Sequence, residues 1–247
     1  CRVGSEMCIR VMDGLMRKCI QFNQPIHETI HIYNLFKPPQ IFCERCETLW
    51  LNSKIHKDGR CPKCLNNKIS TDGECHDCQF LSKTFYLMEQ LFCDYSYDGM
   101  MKEIIHQYKI KRDFYLAEVL ARKLVLPQTQ YDYIVPIPSP IERDIERTFN
   151  PVTTVLDKMG ISYQDVLGTH IRPKQSKLGK IERSKAPNPF YIKDEEINIE
   201  GKVILLIDDI YTTGLTIHHA GCKLYDKKSE NSKCLRLHDN INMVKYR

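Results

Sequence analysis

The segment from 203 to 216 constrains the fold of this 247-residue chain more than any other part of it. Five apolar residues, Val203 to Ile207, precede Asp208 and Asp209, and a Thr-Thr-Gly-Leu-Thr turn at 212–216 then opens a helical pattern. In an open parallel sheet, ligands bind outside the carboxyl ends of the strands. The order of these residues therefore predicts a buried strand that delivers two acids to such an edge.

The chemistry of this segment suits a phosphorylated sugar. Two adjacent carboxylates can bind two hydroxyl groups, and the N–H groups and hydroxyls of the turn can hold a phosphate against the helix dipole. An Asp-Asp pair alone is more often a solvated turn, and Thr-Thr-Gly alone is more often a helix cap, so the combination favours a ligand site. The rival phosphate motif, Gly-x-x-x-x-Gly-Lys-[Ser/Thr], does not occur in the sequence.

Strands and helices alternate along the second half of the chain, which predicts an α/β fold with a parallel sheet flanked by helices. Apolar residues recur near helical spacing before Pro127, and a later strand ends in a cluster of prolines. In chain order we predict one or two helices in 101–126 with a turn near 111–113, a strand at 131–137, a helix at 151–159, a strand at 202–207, a helix at 215–225 and a further strand at 233–237.

The stretch from 170 to 193 has little periodicity and holds seven Lys or Arg residues against one acid. We predict a long mobile loop, because loops of this length inside compact domains are usually functional or disordered. Its charge is compatible with contacts to a phosphate backbone, although a net charge of +5 also fits a merely solvated surface. The candidate nucleic-acid residues are Arg172, Lys174, Gln175, Lys177, Lys180 and Arg183.

Three Cys-x-x-Cys pairs lie between 43 and 78, in a stretch too poor in large aliphatic residues to build a core by burial alone. Such pairs grip one Zn²⁺ by two thiolates each, with bonds of ~2.3 Å in a tetrahedron. Turn and charged neighbours argue against cysteines buried as small hydrophobes, and three pairs argue against a redox motif. The most compact complete zinc site comprises Cys61, Cys64, Cys75 and Cys78.

A second, incomplete metal site is predicted from the remaining pair. Cys19 opens a Cys-x-x-Phe sequence, in which Phe22 stands where a second cysteine would be, so that Cys43, Cys46 and Cys19 supply three thiolates. This site is either metal-free or completed by a histidine or by one of three other cysteines. Those cysteines are Cys1, Cys8 and Cys93.

The composition fits a globular protein of a reducing compartment. The longest aliphatic run, 203–207, is about a quarter of the ~20 residues that a membrane helix needs, and no charged start leads into an apolar signal region. We therefore expect no membrane span, no secretion signal and a cytoplasmic location. We also expect residues 1–15 to be a non-native or disordered leader before a true start at Met16, because they show no sustained period and no helix caps.

The fourteen residues 203–216 resemble the phosphoribosyl-pyrophosphate signature of type I phosphoribosyltransferases. By this resemblance, Asp208 and Asp209 would be the catalytic acids that hold the ribose hydroxyls, and Mg²⁺ would accompany the pyrophosphate. The resemblance also implies two ligand-binding loops. The 5′-phosphate would lie on Thr212, Thr213, Gly214, Leu215 and Thr216, and the pyrophosphate near Pro136, Ile137, Pro138 and Ser139.

Together with the cysteine pairs, further residues resemble the ComF/ComFC late-competence family, which is amidophosphoribosyltransferase-like and carries an N-terminal zinc finger. The resemblance extends from about Met16 to Leu237. Its residues are Val135 to Pro138, Glu142, Arg143, Glu146 to Asn150, Gln175, Leu178, Arg183, Asn188 and Phe190. Departures from the family pattern are Phe22 for a cysteine, Arg112 and Thr148 for glycines, and Pro151 for a glutamine.

The resemblance implies a late-competence protein of natural transformation that handles incoming single-stranded DNA beside a helicase-like ATPase, at the inner face of the uptake machinery. Two alternatives stay open: an active phosphoribosyltransferase of nucleotide metabolism or salvage with an unknown acceptor, and a scaffold whose zinc module docks a partner. We predict a zinc-binding module at 16–82, after the leader at 1–15, and a phosphoribosyltransferase-like domain at 83–247.

Overall fold

The chain forms two compact units, Cys1–Ser53 and Lys54–Arg247. The computed structural model describes residues 17–26, 33, 36–67, 69, 75–170, 180–193 and 196–229. The predicted leader at 1–15 and strand at 233–237 lie outside these ranges. The units divide at 53/54, whereas the sequence suggests a boundary at 82/83, so the zinc module of 16–82 and the domain of 83–247 stay predictions about independent folding.

Helices and strands alternate along the larger unit as expected. The helix α1 Glu44–Asn52 belongs to the smaller unit. The helices of the larger unit are α2 His76–Ser82, α3 Gly99–Lys109, α4 Leu116–Lys123, α5 Ile141–Arg147, α6 Pro151–Lys158, α7 Lys180–Lys185 and α8 Leu215–Ser229. The strands are β1 Tyr133–Pro136, β2 Leu167–Thr169, β3 Phe190–Ile192 and β4 Ile204–Ile207. None of the helices that the structure describes is long and apolar enough to cross a membrane.

The two strands predicted to carry the site, β1 and β4, pair in parallel. Tyr133 lies opposite Ile204 at their start. At their end Pro136 lies opposite Ile207, whose carbonyl accepts a hydrogen bond of 2.7 Å from the N–H of Ile137. All four residues of β4 are buried, which explains its uninterrupted apolar sequence. The predicted α/β class with a parallel sheet flanked by helices is confirmed, and this register brings the segments after both strands to one edge.

The helices beside this sheet begin and end where the sequence places stop signals. The side chain of Asn150 accepts hydrogen bonds from the N–H groups of Val152 and Thr153, both 3.0 Å, and Pro151 occupies the first turn of α6. The predicted break near 111–113 separates α3 from α4. These caps fix the helices that flank the end of β1.

The predicted loop at 170–193 contains a helix and a strand among its described residues, which corrects the sequence interpretation for 180–193. Residues 180–185 form α7, and β3 pairs antiparallel with β2. Tyr191 of β3 lies over Gly168 so closely that a Cβ there would stand 2.2 Å from its ring. Elements of three and six residues are too short to show a periodicity, and β3 is ordered by a partner distant in sequence.

The smaller unit is organised around its cysteines. Cys46 and Trp50 lie on α1 and are buried. The indole N–H of Trp50 donates a hydrogen bond of 2.9 Å to the side chain of Gln21. Cys19 and Phe42 are also buried, so that the buried residues in the described part of this unit include thiols and two aromatic rings.

Candidate functional site

A cavity of about 690 Å³ opens at the carboxyl ends of β1 and β4 in the larger unit. Both loops that the sequence singles out contribute to its wall. The predicted residues that line it are Ile137, Pro138, Ser139, Asp208, Asp209, Thr212, Thr213, Leu215 and Thr216. Pro136 and Gly214 are not among the described residues that line it. The structure thus brings the two acids and both loops to one space large enough for a small ligand.

One of the two adjacent acids, Asp209, forms an ion pair with a lysine from a distant helix. The N–H of Asp209 donates a hydrogen bond of 2.8 Å to Asp208, and the carboxylate of Asp209 pairs with the ammonium of Lys109. Burial, and then the charge of Asp209, raise the pKa of Asp208 well above its ordinary value, while Lys109 opposes the shift. Asp208 therefore keeps a proton more readily than an exposed aspartate does, and a protonated carboxyl can donate as well as accept a hydrogen bond.

Lys109 owes its position to aromatic packing at the end of α3. The ring of its neighbour Tyr108 stacks on Phe149, with ring centres 5.0 Å apart, and the Tyr108 hydroxyl donates to the carbonyl of Pro151 at 2.9 Å. Burial raises the pKa of Tyr108 above the physiological range, so this hydroxyl stays a donor. The C-terminal end of α3 is thereby fixed against the start of α6.

In the turn at 212–216, position 214 has a backbone conformation that only glycine adopts easily. Gly214 has φ of +75°, and a Cβ at this position would lie 2.5 Å from the hydroxyl oxygen of Tyr211. The turn leads into α8, a helix of 15 residues, whose first N–H groups are available to an anion by their geometry. The hydroxyl-bearing residues Thr212, Thr213 and Thr216 lie at that end of the helix, on the cavity wall.

The loop after β1 is held by a polar network. The amide of Asn150 donates to Asp144 at 2.9 Å and to the hydroxyl of Ser139 at 3.2 Å, and the Ser139 hydroxyl also donates to Asp144. Arg147 lies 3.8 Å from the same carboxylate. This network orients Ser139 on the cavity wall while its donors are satisfied.

Several basic side chains that the sequence analysis did not assign to the site also line the cavity. They are Lys109, Arg112, Arg143, Arg147, His170 and His219. Arg112 donates to Glu146 at 3.1 Å and has φ of +60°, a left-handed conformation that is costly for a residue with a side chain. The sequence signal that could have identified this wall is the set of cations at the end of α3 and along α5. The helix α5 directly follows the proline cluster.

The complete cysteine cluster has the geometry of a metal site. The sulfur atoms of Cys61, Cys64, Cys75 and Cys78 all lie within 4.8 Å of one another. Two of the distances, 3.4 Å for Cys64 to Cys75 and 3.7 Å for Cys61 to Cys78, are close to the edge of about 3.8 Å that a tetrahedron with ~2.3 Å bonds requires. Four thiols fit zinc, and no described cysteine forms a disulfide bond.

The second cluster contains the three predicted thiols, Cys19, Cys43 and Cys46. The sulfurs of Cys19 and Cys46 lie 3.4 Å apart. Burial opposes ionisation of Cys19, but hydrogen bonds from three backbone N–H groups outweigh it and lower its pKa to about 7. These N–H groups belong to Cys43, Phe22 and Gln21. The side chain of Phe22 is partly exposed beneath the guanidinium of Arg45 and offers no ligand atom.

No further thiol, imidazole or carboxylate joins this second cluster within the described ranges. Cys93 belongs to the other unit, where it is buried and its thiol donates to the carbonyl of Tyr95 at 3.3 Å. Cys1 and Cys8 lie outside the described residues. The second cluster therefore stays incomplete in the part of the chain that the structure covers.

Most of the candidate nucleic-acid residues lie outside the residues that the structure describes. Arg172, Lys174, Gln175 and Lys177 lie in the undescribed range 171–179. Lys180 and Arg183 belong to α7, where only the backbone is described. The predicted contacts of these six residues stay predictions.

Fold and site define an α/β protein with cysteine clusters that could bind metal and a polar cavity at the end of a parallel strand pair. No family model matches the chain. It is 31% identical over 218 residues to "Competence protein ComFC" of Bacillus subtilis (strain 168), a match that covers 84% of this chain and 86% of that protein. It is 29% identical over 226 residues to "Competence protein ComFC" of Streptococcus pneumoniae (strain ATCC BAA-255 / R6), which covers 89% and 99%. The chain belongs to the ComFC family of competence proteins, which confirms the resemblance.

Proposed function

We propose that this competence protein handles incoming single-stranded DNA during natural transformation and binds a phosphoribosyl-pyrophosphate-type ligand in its cavity. The observation that carries the ligand assignment is that one cavity collects Asp208, Asp209 and the turn at 212–216. A pentose 5-phosphate needs acceptors for its hydroxyl groups and N–H donors for its phosphate. The two parts of the site supply these groups at opposite ends of a short loop.

The acids would bind the ribose and the basic wall would bind the diphosphate. A carboxylate has about four acceptor positions, so Asp209 can keep Lys109 and still accept a hydrogen bond from a ribose hydroxyl. Asp208, with its raised pKa, can share a proton with the second hydroxyl. The diphosphate would then lie towards Ser139 and Arg147, and Mg²⁺, a hard cation that keeps several of its waters, would neutralise part of its charge.

The role in DNA handling rests on family membership and on charge. Cations such as Arg112 and Arg143 on the cavity wall, together with the basic stretch at 170–193, offer partners for phosphate groups. We place the protein in the cytoplasm, at the inner face of the uptake machinery beside a helicase-like ATPase. Structural zinc at Cys61, Cys64, Cys75 and Cys78 completes the proposal.

Calorimetric titration with phosphoribosyl pyrophosphate and Mg²⁺ tests the ligand assignment. We expect wild-type protein to bind, and Asp208→Ala and Asp209→Ala each to weaken binding about tenfold or more, because each removes a carboxyl group that would hydrogen-bond a ribose hydroxyl. Asp165→Ala is the matched control, since Asp165 is an exposed acid paired with Lys193 at 2.7 Å. Equal affinity in all four proteins would contradict the assignment. Release of pyrophosphate when a nucleobase is added would instead favour the transferase.

A second titration, with a single-stranded oligonucleotide, separates the two parts of the proposal. If the cavity serves a small ligand, Asp209→Ala should leave the oligonucleotide affinity unchanged or raise it slightly by removing a negative charge. A loss of oligonucleotide binding in Asp209→Ala that parallels the loss of phosphoribosyl pyrophosphate binding would mean that DNA itself occupies the cavity. In that case the small-ligand assignment would be wrong.

A further inference from the structure

Tyr211 lies between the complete cysteine cluster and the phosphate-binding turn. It directly precedes Thr212, and only 4% of its surface is exposed. It belongs to one continuous buried core that also contains Cys61, Cys64 and Cys75. The first residue before the turn is therefore packed in the same core as the metal-binding thiols.

The hydroxyl of Tyr211 lies against the turn, and its side chain belongs to the same buried core as the thiols. A Cβ on Gly214 would stand 2.5 Å from the Tyr211 hydroxyl oxygen, so the phenol lies directly against the backbone of the turn. Burial raises the pKa of Tyr211 well above its ordinary value, so the phenol keeps its proton, and the side chain lies in the same buried core as Cys64 and Cys75. One side chain thus borders both the turn and the thiols.

A second connection runs through α2, the helix that carries one cysteine of the cluster and directly follows another. Cys78 lies on α2, and Leu81 of the same helix packs with Phe85 and with Leu215, the first residue of α8. The ring of Phe85 also meets His219 of α8 edge to face, with ring centres 4.9 Å apart. The helix next to the cluster therefore supports the start of the helix whose N–H groups face the cavity.

We infer that the metal held by the complete cysteine cluster positions the phosphate-binding turn through Tyr211 and α2, and so raises the affinity of the turn for a phosphorylated ligand. The stretch 61–78 is rich in polar and turn residues, so the metal provides much of its order. Anion binding at a helix N-terminus depends on how well its N–H groups are aligned, and a loosened support costs that alignment. Tyr211 acts as a positioning residue, and the inference rests on the proposed ligand site.

Thermodynamic linkage makes the inference measurable in both directions. If zinc raises the affinity for the ligand by a certain factor, the ligand must raise the affinity for zinc by the same factor. We expect this factor to be about fivefold or more, the lower end of measured coupling between sites. The zinc affinity of the full-length wild-type protein can be measured by competition with a chromogenic chelator, with and without phosphoribosyl pyrophosphate, at one constant Mg²⁺ concentration.

Two variants give the controls. Tyr211→Phe keeps the ring but removes the oxygen that faces Gly214, and it should reduce the coupling factor while zinc stoichiometry is kept. Cys43→Ser changes the incomplete cluster of the other unit, and it should leave the affinity for phosphoribosyl pyrophosphate unchanged. A coupling factor in Tyr211→Phe equal to that of wild type would overturn the role of Tyr211.

The outcomes distinguish this inference from the proposed function. If the zinc-loaded protein binds phosphoribosyl pyrophosphate and zinc affinity is the same with and without it, the coupling is absent and the ligand site stands. If the zinc-loaded protein does not bind phosphoribosyl pyrophosphate, the proposed ligand site fails and the inference fails with it. Because the chelator competition uses wild-type protein, the result does not depend on whether a zinc-free variant folds.

Discussion

Gly214 allows a test that separates backbone strain from steric contact in the phosphate-binding turn. Both Gly214 and Gly160 have a positive φ, +75° and +69°, but a Cβ would meet Tyr211 only at Gly214. Gly160→Ala should lower the free energy of unfolding by roughly 1–2 kcal/mol through strain alone. Gly214→Ala should cost more and should also weaken binding of phosphoribosyl pyrophosphate. Urea unfolding and calorimetry measure these effects, and equal behaviour of the two variants would contradict the close contact with Tyr211.

Asp208 should make the stability of the folded protein fall as pH rises above about 4. Burial and the charge of Asp209 raise its pKa in the folded chain, so the folded state holds a proton that the unfolded state has already released. The free energy of unfolding therefore decreases with pH from about pH 4 until the raised pKa is passed. Asp208→Asn should remove this decrease.

Urea unfolding of wild type and Asp208→Asn at a series of pH values measures the difference. The variant should gain stability relative to wild type as pH increases, because it buries no charge. Asp165→Asn serves as control, since Asp165 is an exposed acid outside the cavity. Parallel profiles for wild type and Asp208→Asn would show that the Asp208 carboxyl is not desolvated.

At the level of single residues, the sequence predicted the two acids and the threonines of the turn because they adjoin in the chain. Lys109 was not assigned to the site because it is 100 positions from Asp209 and reaches it through the packing of α3. The same holds for His170, which lines the cavity from the end of β2, whereas His219 lies on α8, close in sequence to the turn. A local sequence pattern identifies the site residues that directly follow a strand. The residues on the opposite wall of the cavity are brought there by tertiary packing, which such a pattern does not show.

Among the elements, α2 and its cysteines make the zinc prediction specific. We expect the purified, reduced protein to hold at least one tightly bound zinc, and Cys61→Ser or Cys75→Ser to lose it. Cys222→Ser is the matched control, because Cys222 is a half-buried thiol of α8 outside both clusters. Metal analysis by mass spectrometry gives the stoichiometry, and unchanged zinc in both cluster variants would refute the assignment.

Loss of this zinc should affect more than the cysteine-rich stretch. Cys61, Cys64 and Cys75 share a buried core with residues of β1 and β4. Protease digestion of Cys75→Ser should therefore show cleavage within 61–78 first and a lower melting temperature of the larger unit. A melting temperature equal to that of wild type would mean that this stretch folds independently of the sheet.

The elements that the sequence predicted well are those whose order is local. The strand β4 is apolar throughout because it is buried, and α6 carries its own cap in Asn150. The short elements α7 and β3 were missed, since three to six residues show no period. The pairing of β3 with β2 depends on residues more than twenty positions apart.

For the whole molecule, single-stranded DNA affinity should fall as salt rises. The stretch 170–193 has a net charge of +6 from seven cations and one acid, and each neutralised phosphate should contribute about −0.7 to the log-log slope. Replacing Lys174, Lys177, Lys180 and Arg183 by Ala should flatten that slope.

The control for this prediction removes the same number of charges elsewhere. Four described cations are already paired with acids, and their replacement by Ala should leave the slope nearly unchanged. These residues are Lys57, Arg122, Lys202 and Lys223. Fluorescence anisotropy at several salt concentrations gives the slopes, and an unchanged slope in the first quadruple variant would place the DNA-binding surface outside this stretch.

A crystal structure of the protein with phosphoribosyl pyrophosphate and Mg²⁺ tests most directly whether the cavity at the ends of β1 and β4 is the ligand site. We predict the 5′-phosphate on the N–H groups of 212–216 and the ribose hydroxyls within hydrogen-bond distance of Asp208 and Asp209, with Lys109 still beside Asp209. A ligand bound elsewhere, or a cavity that stays empty at saturating ligand, would contradict the assignment.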